Sequence, residues 1–212
     1  MGENIDLKEL EKKAYRSTFE DGIWDIFIGL ILLAFGFIPL GDLFELPELL
    51  GMFLLSLCWN IGAVVIMILG KKYITVPRIG IIKFGPKRQA DQRKLKIFLG
   101  INVLLGVIFL LMQMSGIFGF INLQGFALSI LVGIFISFPF GVCAYFMDFH
   151  RLYIYAVLGG AGFFLTDVFR LFISPPFSLI LAFGIIGGSI LITGMIFLIK
   201  FIREYPKPNK LS

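Results

Sequence analysis

The sequence predicts an all-α integral membrane protein with six transmembrane helices, both termini on the cytoplasmic side, and a short basic cytoplasmic loop expected to hold a β-hairpin. Three observations carry this reading. Six long apolar runs follow one another along the chain. The basic residues fall almost wholly on one side of those runs. The chain is 58% hydrophobic and 16% charged, with a mean hydropathy of +0.93, whereas a soluble domain carries ~25% charged residues.

The runs are 22–40, 47–69, 97–114, 123–146, 152–169 and 176–201. Each is about long enough to cross a hydrocarbon core of ~30 Å at ~1.5 Å per helical residue. Together they form a domain over 22–202. Residues 1–21 read as a cytoplasmic amphipathic segment. Residues 203–212, with Pro206 and Pro208, are expected to be a disordered cytoplasmic tail. The first run is expected to stay in the mature chain. It is long and follows a stretch with several acids, whereas a signal peptide has a short apolar core close to a basic start.

Orientation follows from the bases. Lys8, Lys12, Lys13 and Arg16 precede the first run. The loop 70–96 holds Lys71, Lys72, Arg78, Lys83, Lys87, Arg88, Arg93, Lys94 and Lys96. Arg151 lies in the fourth connection, and Lys200, Arg203, Lys207 and Lys210 close the chain. With the N-terminus inside, these eighteen of the 19 Lys and Arg are cytoplasmic, and only Arg170 is outside. Positive charge is retained on the cytoplasmic face, so a multipass protein of the plasma membrane is expected. The same split reads the net charge of +5 as topology, with no nucleic-acid partner.

Local signals fit this frame. Pro47, Pro86 and Pro176 sit where helices should start, since the first helical position tolerates proline. Asn122 suits an N-cap. Pro139 falls inside the fourth run. Gly184 and Gly188 form a GxxxG pair, and Gly159, Gly160 and Gly162 cluster in the fifth run. Such small residues are expected to pack these two adjacent helices together, or to make a dimer face. Phe27-Ile28-Gly29 and Phe98-Leu99-Gly100 are alike and suggest tandem hairpins.

Three features could carry function. The loop 70–96 carries nine bases and one acid, Asp91. Tyr73–Val76 and Ile79–Phe84 are rich in β-branched and aromatic residues, which suits extended structure. The stretch from Pro86 is expected to open a helix running into the third span. Arg78, Lys83, Lys87, Arg88, Arg93 and Lys94 are candidates for binding anionic lipid headgroups or a cytoplasmic or membrane protein partner. Second, Asp21, Asp25 and Gly29 share a helix face that continues towards Gly36. An acid within a span is costly and should face protein or water. Third, Asp25, Asn60, Asn102 and Ser137 form a candidate intramembrane polar cluster in the inner half of the bilayer. The bland alternative is hydrogen bonding between helices. Asp167 and Arg170 lie near the outer end and can pair.

Chemistry is otherwise sparse. Cys58 and Cys143 fall inside spans and should be buried apolar side chains. They give no metal spacing, and His150 is the sole histidine. No catalytic residue, metal or cofactor is expected. Asp21–Phe27 and Pro77–Phe84 resemble stretches in uncharacterised small prokaryotic polytopic membrane proteins. That resemblance covers only these two segments and implies no activity. The function expected is a non-catalytic membrane component: a partner-binding, regulatory or scaffold subunit. The alternative is a small transporter or permease subunit using Asp25, Asn60 and Asn102.

Overall fold

The computed structural model describes residues 19–37, 48–80, 86–114 and 126–206. Every regular element among them is helical. In chain order these are α1 (Ile23–Phe37), α2 (Glu48–Gly70), a π-helical segment (Lys71–Thr75), α3 (Val76–Ile79), α4 (Pro86–Met114), α5 (Phe126–Met147), α6 (His150–Arg170) and α7 (Phe177–Glu204). Each of the six expected runs corresponds to one of the long helices. Four stretches, Leu57–Ile79, Phe126–Met147, His150–Arg170 and Phe177–Glu204, are long and apolar enough to cross a membrane. Helix α1 is apolar over its described 15 residues.

The prolines act where expected. Pro86 opens α4, and Pro176 caps the start of α7. Pro139 lies inside α5, which continues through it. Pro47, Asn122 and the tail beyond Pro206 lie outside the described residues.

The chain divides into two compact units. The first comprises Met1–Lys83 and Phe169–Ser212. Its centre is α1, which packs along α7 on one side and α2 on another. The α1–α7 contact is made by glycines at heptad spacing. A Cβ built at Gly29 would lie 3.0 Å from the Gly187 carbonyl oxygen, and one at Gly22 would lie 2.3 Å from that of Gly194. Only hydrogen side chains allow the backbones this close, and van der Waals packing drives helix association in lipid. Leu32, Phe183 and Ile190 are fully buried at this contact. The start of α1 meets the end of α7, so the two run antiparallel.

Helix α2 is tied to α1 by the Trp59 indole, whose Nε1 donates to the Leu30 carbonyl at 2.7 Å. The Trp59 ring also stands edge-on to Phe37 at 4.3 Å. Trp59→Phe keeps most of the packing and loses the donor. It is expected to cost ~1 kcal/mol, read as a lower unfolding midpoint in detergent. An unchanged midpoint would mean the bond contributes nothing.

The second unit, Phe84–Val168, holds α4, α5 and α6 up to Val168. Helices α5 and α6 are an antiparallel pair. A Cβ at Gly133 would lie 2.6 Å from the Gly160 carbonyl oxygen. The Ser137 hydroxyl donates to the Ala156 carbonyl at 2.8 Å. The turn between them places Asp148 at φ 54 and lays the Arg151 guanidinium over Phe149, 5.2 Å from its centroid. Helix α4 meets α5 through Phe98 and Phe138. Much of the described α4 apolar surface faces outward, Val103 and Leu104 among it.

Several expectations are corrected. Residues Tyr73–Ile79 are helical, not extended, so the expected β-hairpin loses its first strand; Ile81–Gly85 lie outside the described residues. Gly184 and Gly188 have nothing within 4 Å of a built Cβ, and the close approaches belong to Gly187 and Gly194. Among the fifth-run glycines, Gly160 packs on α5, against Gly133 and Ser137. The repeat Gly29 and Gly100 differ in role, one pressed against α7 and the other open. Cys58 is exposed and Cys143 half-buried.

Candidate functional site

Among the described residues, a buried polar junction lies where α1 begins and α2 ends. Its anchor is Asp21, which is completely buried. Gly22 follows at φ +73, a conformation that glycine adopts without strain. This turn folds the Asp21 side chain back over the helix start. Its Oδ1 accepts from the Ile23 backbone N–H at 3.1 Å. That N–H is a first-turn donor without an intrahelical partner, and the negative charge suits the helix N-terminus.

The other carboxylate oxygen reaches the π-helical segment that continues α2. Asp21 Oδ2 accepts from Lys71 Nζ at 2.6 Å and from Thr75 Oγ1 at 2.5 Å. The carboxylate thus takes three donors from two elements. Thr75 is buried, and the Lys71 side chain keeps 25% of its surface. Gly70 lets the end of α2 close on Ile23, whose Cδ1 would be 3.1 Å from a built Cβ.

Lys71 and Thr75 stand on the π-helical segment. The Val76 N–H bonds back to the Lys71 carbonyl, five residues earlier. Pro77 follows and has no N–H to continue either register. The wider turn absorbs this interruption, as π-bulges commonly do. Beyond it, Arg78 Nη1 donates to the Ile74 carbonyl at 2.8 Å. Gly80, at φ +84, ends α3 with its N–H on the Val76 carbonyl.

This contact explains why Tyr73–Ile79 is helical. Helix costs a β-branched residue at most ~0.7 kcal/mol relative to alanine. Helical spacing brings Lys71 and Thr75 to one carboxylate. A buried carboxylate left without its partners costs ~3–5 kcal/mol. Tertiary pairing outweighs local preference.

Asp25, one turn beyond Asp21, is also completely buried. It sits at the α1–α7 contact, its Cβ 3.0 Å from a Cβ built at Gly194. The expectation that Asp25 faces protein matches this burial. Trp24 is half-buried between Phe19 and Phe27, each ring centroid 5.8 Å away.

The four polar-cluster candidates divide between the units. Asp25 and Asn60 belong to the first; Asn102 and Ser137 belong to the second. Asn102 Nδ2 donates to the Phe98 carbonyl of its own helix at 3.1 Å, and Ser137 bonds Ala156 across to α6. Ser129, which sequence reasoning passed over, donates to Asp167 Oδ2 and links α5 to α6. Of the loop candidates, Arg78 turns onto the Ile74 carbonyl, while Arg93 and Lys94 are exposed on α4. Asp91 pairs with Lys94 at 4.0 Å. Lys83 and the Lys87 and Arg88 side chains lie outside the described residues.

The signal for the missed junction was spacing. Lys71 and Thr75 are four apart just past the end of the second run, and Asp21 immediately precedes the first. Antiparallel neighbours bring those two ends together.

No family model, curated protein or solved structure matches this chain.

Proposed function

We propose that this chain is a multipass protein of the plasma membrane with both termini cytoplasmic. It acts as a non-catalytic component that holds or regulates a partner. The observation that carries the reading is the use made of buried and part-buried polar groups. Asp21 ties the start of α1 to the π-helical segment after α2, Ser129 ties α5 to Asp167 of α6, and Ser137 ties α5 to Ala156. These side chains are spent on joining helices, as a rigid scaffold requires.

The orientation draws support from the first unit. The start of α1, the end of α2 and the end of α7 lie at one end of that unit, as the Asp21–Lys71 and Gly22–Gly194 contacts require. An N-terminus inside puts all three on the cytoplasmic face, together with Lys71, Lys200 and Arg203.

Two measurements test this. A membrane-impermeant thiol reagent applied to sealed cells, in a background lacking Cys58 and Cys143, should label Glu45→Cys and Gly119→Cys and spare Gln89→Cys. Labelling of Gln89→Cys overturns the topology. Proteoliposomes holding the chain should show no proton, sodium or potassium flux above empty vesicles. Flux that Asp25→Asn abolishes would replace this reading with the transporter one.

A further inference from the structure

An open groove of about 590 Å³ runs along the last turns of α7, lined by Ile196, Ile199, Lys200, Arg203 and Glu204. All five side chains are exposed. Residues 196, 199, 200 and 203 follow the i, i+3, i+4, i+7 spacing of one helix face. That face is apolar over its first turn and charged over the next. Two bases against one acid leave the groove with one net positive charge. Among the described residues, neither Lys200 nor Arg203 enters an ion pair.

Depth decides what such a face can hold. Lys200 is the first charged residue after Arg170, so α7 is uncharged from Phe177 to Ile199. That stretch spans ~33 Å at ~1.5 Å per residue, close to a hydrocarbon core of ~30 Å. Ile196 and Ile199 lie at the edge of the core. Lys200 and Arg203 follow within ~6 Å, inside a headgroup layer ~5–7 Å thick. The neighbouring helices set the same level independently. A Cβ built at Gly22 would lie 2.7 Å from the Leu198 nitrogen. The preceding residue, Asp21, pairs with Lys71, the first charge after Glu48. A polypeptide in water could meet the two bases. Reaching Ile196 as well would carry its backbone groups into hydrocarbon without partners. A phospholipid presents its phosphate at the depth of the bases and its acyl chains at the depth of the isoleucines.

We propose that this groove is a binding site for one anionic glycerophospholipid. Its phosphate is held by Lys200 and Arg203, and its acyl chains lie along Ile196 and Ile199. An ammonium and a guanidinium both suit a phosphate, the second as a planar fork. Glu204 favours a headgroup whose hydroxyls can donate to it, such as glycerol, over choline, which has no hydrogen to donate. One net positive charge in the groove matches one phosphodiester. The site rests on the membrane placement above, and on neither the orientation nor the scaffold role.

The test is native mass spectrometry of the full chain in detergent, titrated with phosphatidylglycerol or phosphatidylcholine. The first phosphatidylglycerol should bind more tightly than phosphatidylcholine. Lys200→Gln with Arg203→Gln should weaken it about tenfold. If that pair disturbs folding, Lys200→Gln alone should still weaken it by about threefold. Lys72→Gln with Lys96→Gln removes two exposed bases from other helices, and should change binding less than about twofold. The proposal is overturned if the two lipids bind alike, or if the control pair weakens binding as much as the α7 pair. A labelled oligoglutamate peptide that displaces phosphatidylglycerol, and loses its own binding in the α7 pair, would also overturn it, since the bases would then serve a polypeptide. Release of the chain from membranes by alkaline carbonate without detergent would defeat the membrane placement itself, so the two failures are told apart.

Discussion

Gly22→Ala and Gly194→Val are each expected to prevent α1 and α7 from closing. A Cβ at Gly22 would lie 2.3 Å from the Gly194 carbonyl oxygen and 2.7 Å from the Leu198 nitrogen. Both are backbone atoms, so no side-chain rotation relieves the clash. The residue also sits at φ +73, which costs a residue with a Cβ ~1–2 kcal/mol. Overpacking adds ~1–3 kcal/mol. At Gly194, a Cβ would meet the Ile26 nitrogen at 2.7 Å and the Asp25 Cβ at 3.0 Å. The combined loss of ~2–5 kcal/mol should appear as a large drop in the unfolding midpoint in detergent, or as loss of folded protein. Gly184→Ala and Gly188→Ala are the controls, because a Cβ there meets nothing within 4 Å. They should stay within ~0.5 kcal/mol of the parent. Equal damage at the GxxxG pair would refute this account of the helix contact.

Lys71→Met should be nearly as costly. It leaves the Asp21 carboxylate, fully buried, without its ammonium. Breaking a buried pair in this way costs ~3–5 kcal/mol. The lower end applies here, since Lys71 retains 25% of its side-chain surface. Thr75→Val removes one neutral donor and should cost ~1–3 kcal/mol. Asp21→Asn should be milder than Asp21→Ala, because the amide oxygen can still accept from the Ile23 N–H. Combining Asp21→Asn with Lys71→Met should recover part of the loss, since no unpaired charge then remains. Hydrogen exchange at Ile23, read beside the unfolding midpoint, localises the effect to the start of α1. A silent Lys71→Met would show that water already solvates the carboxylate.

The six long helices among the described residues, and much of their extent, were legible in the residues. Apolar length marks a span because the bilayer demands it, and Pro86 and Pro176 mark starts because proline has no N–H to donate. The burial of Asp25 was also legible, from the cost of a carboxylate within a span. The Tyr73–Ile79 segment was misread for an equally definite reason. Its β-branched residues favour strand by fractions of a kcal/mol, and a contact with Asp21, some fifty positions earlier, outweighs that preference.

By itself, then, the sequence determined that this is a chain of long apolar helices, because hydropathy acts on each residue one at a time. Which glycines meet was decided only by the tertiary structure. Gly187 and Gly184 are chemically identical and three positions apart, yet only the first faces α1. The same holds for Asp21, whose partners Lys71 and Thr75 are found by the antiparallel packing of α1 on α2. Pair interactions depend on the rotation and depth of two helices relative to each other, and no single helix's sequence encodes those quantities.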